Sequence, residues 1–135
     1  ILCSADAALI ARMKKQVSIW NINSFAEFFM QIYPKYREDY KHACDQFIQA
    51  REDFEMELKK IPFIKVMPSQ ANYFFLEVLP PYKPKELCAI LLEKYNILAS
   101  ACLAKKGIEP NKYMRIAVRN HGDNEKFIKA LKELI

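Results

Sequence analysis

The longest regular pattern in the chain predicts an amphipathic helix. Its apolar side chains recur at steps of three and four residues, apart from one expected position that is taken by Arg51; they are Tyr40, Cys44, Phe47, Phe54, Leu58 and Ile61. Such steps place side chains on one helical face, and the other face here is mainly Lys, Glu, Asp and Gln. Pro62 follows and disfavours helical backbone in the residue before it. We therefore predict a long helix that ends before Pro62.

Two helices are predicted ahead of the long one. Composition favours helix over residues 5–15, with Ser4 or Asp6 as the N-cap. The following segment is rich in β-branched and Asn side chains, which suits an extended connector. Ser24 is the predicted N-cap of the second helix. The apolar residues of that helix are Phe25, Phe28, Phe29 and Ile32.

Beyond Pro62 the apolar period changes to two, which is typical of strands. In the last predicted strand Met114, Ile116 and Val118 face the core, so Arg115 and Arg119 point to the opposite face. The fold class that follows is α+β, with a small mixed or antiparallel sheet covered by helices. The predicted strands are residues 64–67, 73–79, 97–99 and 113–119, and the predicted helices run from Pro84 to a C-cap at Asn96 and from an N-cap at Asp123 onwards.

Composition allows one folded core and excludes several function classes. The chain has 135 residues, of which 52% are hydrophobic, and this suffices for one buried core. The net charge of +5 is spread along the chain without a basic tract, so nucleic-acid binding is not expected. No apolar run approaches the ~18 residues of a membrane span, and no signal peptide is recognisable. The chain begins without Met inside an apolar run, so we expect a fragment of a longer protein.

The four cysteines are Cys3, Cys44, Cys88 and Cys102. Their spacing is wide and irregular, and no histidine is placed to complete a zinc site, so no metal is expected. Reduced thiols in a cytoplasmic protein are the expected state.

Motifs for self-contained catalysis are missing from the sequence. Two glycines cannot build a phosphate-binding loop, and neither a nucleophile elbow nor H-E-x-x-H occurs. The two histidines, His42 and His121, occupy positions typical of plain surface residues. Arg115 is the most interesting residue because its planar guanidinium matches a carboxylate through two parallel hydrogen bonds. A strand arginine is nevertheless more often a surface or ion-paired residue.

Three segments occur in an order that resembles a known enzyme family. They are W-N-I-N-S at 20–24, P-S-Q-A-N-Y-F at 68–74 and Y-M-R-I-A-V-R at 113–119, followed by D-N-E-K at 123–126. Together they resemble the class I/II, fold-type I aminotransferases of the histidinol-phosphate aminotransferase and threonine-phosphate decarboxylase type. The likeness covers essentially the whole chain, and the ordered set is much more specific than any one segment.

The resemblance implies a C-terminal part of such an enzyme. Residues 1–33 are then the end of a large domain and the interdomain connector, and residues 34–135 are the small domain, which closes over pyridoxal phosphate held by the large domain. The arginine at the position of Arg115 binds the substrate α-carboxylate in this family. Asn21, at the connector, is a second substrate-binding candidate, whereas Asn72 is expected to serve the backbone. Full-length members are commonly homodimers.

Two departures from the family pattern affect these expectations. The family's cofactor-binding lysine and the aspartate that pairs with the pyridine nitrogen lie in segments that this chain lacks. The fragment is therefore expected to bind no cofactor and to be inactive alone, with no catalytic residue of its own. Ser100 stands where phosphate-substrate members commonly carry arginine, which puts histidinol phosphate and threonine phosphate in doubt as substrates. Lys105 and Lys106 could supply a replacement charge.

The sequence thus predicts part of a cytoplasmic, pyridoxal-phosphate-dependent aminotransferase that acts on an amino acid and a keto acid. Decarboxylation is the neighbouring alternative, because the same cofactor supports both outcomes. Two alternatives lie outside enzymology. One is an amino-acid-binding module in which Arg115 and Arg119 hold a carboxylate or phosphate. The other is a dimerisation domain that uses the aromatic face of Phe25, Phe28 and Phe29.

Overall fold

The computed structural model describes residues 3–17, 22–103 and 106–135. The chain divides into two compact units, Ile1–His42 and Ala43–Ile135. The order of elements confirms the predicted α+β arrangement of helix, helix, long helix, two strands, helix, two strands and helix. The elements are α1 (Ala7–Lys14), α2 (Ser24–Ile32), a 3₁₀ turn (Tyr33–Tyr36), α3 (Arg37–Leu58), β1 (Ile64–Val66), β2 (Tyr73–Val78), α4 (Pro84–Tyr95), β3 (Ser100–Cys102), β4 (Tyr113–Ala117) and α5 (His121–Lys132).

Side-chain caps decide where the first two helices begin. Asp6, one of the two predicted caps, is the N-cap of α1, since its carboxylate accepts a hydrogen bond from the third helical N–H at 2.9 Å. The predicted cap of α2 was wrong. Asn23, and not Ser24, accepts the bond from the N–H of Ala26, at 2.8 Å. Both residue types are good caps, and the asparagine stands one position earlier.

α5 begins at His121, earlier than predicted, because Asn120 and not Asp123 is its N-cap. The amide oxygen of Asn120 accepts from the N–H of Asp123 at 2.9 Å. Asp123 instead accepts a 2.7 Å bond from the Arg119 guanidinium, which lowers the pKa of Asp123. The buried amide of Asn124 bonds both the N–H and the C=O of Arg119, at 2.9 Å each. These bonds tie the end of β4 to the start of α5.

The sheet is antiparallel throughout, with strand order β1-β2-β4-β3. The strand predicted at residues 97–99 was wrong by three positions, because β3 is Ser100–Cys102. α4 ends as predicted at Asn96, which adopts a left-handed conformation with φ 54°. The N–H of Ile97 then bonds back to the C=O of Leu91 at 3.0 Å. The chain is therefore still closing the helix where pairing had been predicted to begin.

Helices α3, α4 and α5 contribute to one core with the inner face of the sheet. The predicted alternation in β4 is confirmed, because Met114, Ile116 and Val118 are buried. From β2 the core receives Phe74, whose ring meets that of Phe54 edge to face at 5.9 Å between centroids. The other buried apolar side chains of the cluster include Leu58, Leu76, Val78, Leu87, Leu91, Phe127, Ile128 and Leu131.

Glu57 joins two helices through charge. Its carboxylate, on α3, lies 2.9 Å from the Nζ atom of Lys132 on α5, and it also pairs with Lys60. The hydrogen bond from Lys60, together with that from Lys132, lowers the pKa of Glu57 from 4.5 to about 2. A carboxylate whose folded-state pKa is depressed stabilises the folded state above its unfolded pKa. That contribution is lost as the pH falls through the folded pKa.

Glu57→Gln is therefore expected to change the acid limb of stability. The free energy of unfolding of the wild type should exceed that of the variant above pH 4.5, and the gap should close between pH 4.5 and about 2. Urea denaturation at a series of pH values measures this. Glu52→Gln, an exposed position on the same helix, is the control and should follow the wild-type curve. A gap between wild type and Glu57→Gln that is constant down to pH 2 would contradict the assignment.

Candidate functional site

Arg115 lies in the middle of β4, on the sheet face that points away from the core. Its neighbours Met114 and Ile116 are buried, while Arg115 itself is exposed, as the alternation predicted. Within residues 3–17, 22–103 and 106–135 no carboxylate forms an ion pair with it. The guanidinium therefore retains its capacity to bind an anion.

Strand register decides which side chains surround Arg115. Phe75 on β2 and Ser100 on β3 are directly opposite it on either side. Residues opposite one another point to the same face, with Cβ atoms ~5 Å apart. Tyr73 lies diagonally across from Arg115, and the centre of its ring is 5.2 Å from the guanidinium carbon. We call this surface the outer face; it comprises Lys65, Tyr73, Phe75, Glu77, Ser100, Cys102, Tyr113, Arg115 and Ala117.

The acidic end of the outer face is already neutralised. Glu77, which is largely buried, pairs with Lys65 and Lys112 at 3.3 Å each. Burial alone would raise the pKa of Glu77, but the bonds from Lys112 and Lys65 outweigh it and the pKa lies below its ordinary value. The rings of Phe75 and Tyr113 stack at 4.7 Å between centroids. Glu77 is thus occupied by lysines and does not compete for Arg115.

The 68–74 segment sets the start of β2. The hydroxyl of Ser69 donates to the C=O of Tyr73 at 2.6 Å and accepts from the N–H of Ala71 at 3.1 Å. The C=O of Asn72 accepts from the N–H of Val118 at 2.9 Å. The backbone of Asn72 therefore joins the start of β2 to the end of β4, and the structural role predicted for its side chain stays a prediction. Its side chain is exposed.

The structure brings together only some of the predicted site residues. Arg115 and Ser100 are neighbours, whereas Asn21 and Lys105 lie outside the described residues, so their roles stay predictions. Arg119 forms a 2.7 Å ion pair with Asp123, which argues against a two-arginine anion site. Sequence reasoning missed Tyr73. Strand alternation could have placed it on the face of Phe75 and Glu77, but only the register shows that it reaches Arg115.

A cavity of about 890 Å³ lies between α3 and α5, on the helical side of the sheet and not beside Arg115. Its charged groups have both signs, and several are paired, as Glu57 is with Lys132 and His121 with Glu125 at 3.1 Å. Lys65 on the outer face and the neighbouring Lys112 are both held by the carboxylate of Glu77. The described residues therefore fit a carboxylate better than pyridoxal phosphate, which needs a lysine amine and a phosphate site.

The cysteines add no further site. All four are free thiols; Cys102 is buried, Cys44 and Cys88 are half-buried, and Cys3 is exposed. Burial, with a smaller contribution from Cys102, raises the pKa of Cys88 to about 11, so its thiol stays protonated at neutral pH. In the part of the chain that the structure describes, His, Cys, Asp and Glu form no cluster suited to a metal ion. In that same part, none of the helices combines the length and apolar character that crossing a membrane requires.

Comparison with known proteins identifies the family. The family described as aminotransferase class I and II matches residues 2–133. The chain is 30% identical to the CMP-5'-(3-aminopropyl)phosphonate synthase of Streptomyces rubellomurinus, over 98% of this chain and 21% of that protein. It is also 30% identical to the histidinol-phosphate aminotransferase of Methanocaldococcus jannaschii, over 97% of this chain and 34% of the relative.

The fold agrees with this match. A solved decarboxylase from Sulfurospirillum multivorans superposes with a TM-score of 0.82 at 27% identity, covering 96% of this chain and 37% of that one. The chain spans between a fifth and just over a third of the length of these three proteins. Its antiparallel sheet and covering helices are those of an aminotransferase small domain. The predicted resemblance is confirmed, and the chain belongs to the class I and II aminotransferases.

Proposed function

We propose that residues 34–135 are the small domain of a pyridoxal-phosphate-dependent aminotransferase and that Arg115 binds the α-carboxylate of its amino-acid substrate. The observation that carries the proposal is the guanidinium of Arg115, exposed at the centre of the outer face and without an acidic partner in the described residues. An arginine and a carboxylate form two parallel charge-assisted hydrogen bonds, which fix both position and orientation.

The strand supports this role mechanically. β4 is hydrogen-bonded on both sides, by β2 and β3, and its inward side chains are locked in the core. The base of the Arg115 side chain is therefore held in place, and a bound carboxylate takes its position from the sheet. When another domain covers the outer face, water is excluded and the charged pair becomes stronger.

We assign the cofactor-binding part of the enzyme to a large domain outside this chain. α2 exposes Phe25 (88%), Phe28 (59%), Phe29 (53%) and Met30 (53%), a clustered apolar surface of the kind that interfaces usually cover. We assign residues 1–33 to the end of the large domain and the interdomain connector. The large domain would cover this surface and hold the cofactor through its own lysine, and the cofactor would stabilise the carbanion that forms during amino-group transfer.

The surroundings of Arg115 favour a substrate with one carboxylate at this position. An arginine in place of Ser100 would lie directly opposite Arg115 and double the positive charge there. The serine leaves a single guanidinium flanked by a neutral hydroxyl. Lys106 is exposed in the following loop. We therefore favour an amino acid without a phosphate group, converted by transamination to the corresponding keto acid.

Purification of the full-length protein, the chain with its large domain, tests the proposal. We expect bound pyridoxal phosphate, a cytoplasmic homodimer by light scattering and cell fractionation, and formation of a new amino acid from an amino donor and a keto acid, detected by mass spectrometry. Release of CO2 without a keto-acid product would replace transamination by decarboxylation. A protein without cofactor that still binds amino acids in calorimetry would support the non-catalytic binding module instead. A cofactor-free dimer that ignores amino acids would support the dimerisation domain.

A further inference from the structure

We propose that Tyr73 is a positioning residue for Arg115: its ring stacks against the guanidinium and sets the direction in which the N–H donors point. This inference rests on the proposed function, since it concerns how Arg115 is presented to a carboxylate. Tyr73 itself makes no contact with the reacting atoms in this assignment.

The geometry of the pair supports a cation–π contact. The guanidinium carbon of Arg115 is 5.2 Å from the centre of the Tyr73 ring, inside the ~6 Å range of cation–π attraction. Tyr73 is opposite Ala117, whose small side chain leaves the space above it open. The ring can therefore lean along the strand towards Arg115, two residues away on the same face. Arginine suits this contact because its charged group is planar.

The contact with Tyr73 reduces the conformational entropy that the Arg115 side chain loses when substrate binds. A free arginine side chain populates many rotamers, and holding it in one of them opposes binding through lost conformational entropy. A guanidinium that already rests on a ring has part of this freedom removed before the carboxylate arrives. Tyr73 is 39% exposed, so it is on the surface and not fixed by the core. Tyr73 therefore contributes little to the stability of the core.

The turn before β2 holds Tyr73 in position. Its C=O accepts the 2.6 Å bond from the Ser69 hydroxyl, and that hydroxyl accepts from the N–H of Ala71. The neighbouring C=O of Asn72 joins β2 to the end of β4 through the N–H of Val118. The 68–74 segment and the 113–119 segment are thus connected both through the backbone ladder and through the contact between Tyr73 and Arg115.

Two variants of the full-length enzyme separate the ring from the hydroxyl. Tyr73→Leu is expected to raise KM for the amino acid about fivefold while kcat changes less than about twofold, in line with the loss of one cation–π contact. Tyr73→Phe keeps the ring and should restore the wild-type KM. A purely structural role would lower kcat and the amount of folded enzyme together, and phenylalanine would not be distinguished from leucine in this way.

A readout independent of turnover is available in the 135-residue chain itself. By NMR, the Nε–H and Cδ protons of Arg115 should be shifted upfield by the Tyr73 ring in the wild type and in Tyr73→Phe. In Tyr73→Leu these signals should move to ordinary arginine positions. Signals that are the same in all three proteins, with an unchanged KM in Tyr73→Leu, overturn the positioning role.

The two proposals fail in different ways. If Arg115→Lys weakens substrate binding but Tyr73→Leu does not, only the positioning role is overturned. If Arg115→Lys binds substrate normally, the carboxylate assignment is overturned and the positioning role falls with it, whatever the NMR signals show. A raised KM in Arg115→Lys and in Tyr73→Leu, together with the wild-type KM in Tyr73→Phe, supports both proposals.

Discussion

Arg115→Lys is expected to weaken amino-acid binding to the full-length enzyme by about tenfold to a hundredfold, the scale of losing one hydrogen bond to a charged group. Lysine keeps the positive charge but offers a point-like ammonium group in place of a planar fork with two parallel donors. The substrate then loses one of two hydrogen bonds and its fixed orientation. We also expect kcat to fall, because a rotated carboxylate misplaces the reacting carbon.

The measurement is a titration of the enzyme with amino acid, followed by the absorbance of the bound cofactor. Arg119→Lys is the matched control, since it makes the same chemical change on the same segment in a residue that pairs with Asp123. That variant should bind substrate within about threefold of the wild type, because a surface pair contributes little. Wild-type affinity in Arg115→Lys would end the assignment.

Phe74→Ala is expected to destabilise the fold by about 3–5 kcal/mol. Phe74 is fully buried on β2, one of the two inner strands of the sheet, and its ring packs edge to face on Phe54. Removing the ring leaves a cavity where sheet and helices meet, and the surrounding core cannot fully collapse into it. Since small domains are stable by only about 5–15 kcal/mol, this loss is a large part of the total.

Urea denaturation of the chain, followed by circular dichroism, measures the change. Phe25→Ala deletes the same ring from a side chain that is 88% exposed, so its free energy of unfolding should lie within about 0.5 kcal/mol of the wild type. Similar losses in both variants would mean that Phe74 does not lie in the core described above.

Local pattern was sufficient for the elements whose signal is repeated along the chain. The long helix α3 was predicted from apolar spacing, and the inward and outward sides of β4 from alternation around Arg115. Capping was less predictable. At α2 and α5 two good caps stand within three residues of each other, and the hydrogen bonds made by Asn23 and Asn120 decide between them. The residue types near each helix start limit the N-cap to two candidates, but they do not show which one is used.

For the candidate site, too, some features were predictable from the sequence and others were not. That Arg115 points away from the core follows from the period of a strand, and its match to a carboxylate follows from guanidinium chemistry. That β2 and β3 flank β4 does not follow, because strand pairing joins residues far apart in the chain. In the sequence, β2 is followed by α4, then by β3 and β4, so β2 is not next to β4 along the chain. Only the folded sheet brings Tyr73 and Ser100 to the two sides of Arg115.

The sequence by itself therefore determined the α+β order of elements and the outward direction of one arginine, because these depend on periods of two and 3.6 residues. The family followed from the resemblance carried by the ordered segments at 20–24, 68–74 and 113–119. The tertiary structure alone decided the antiparallel register, the pairing of Glu77 with two lysines and the cation–π contact between Tyr73 and Arg115. The physical reason is that register depends on how the whole inner face packs in the core, and a one-residue shift would turn every outward side chain inward.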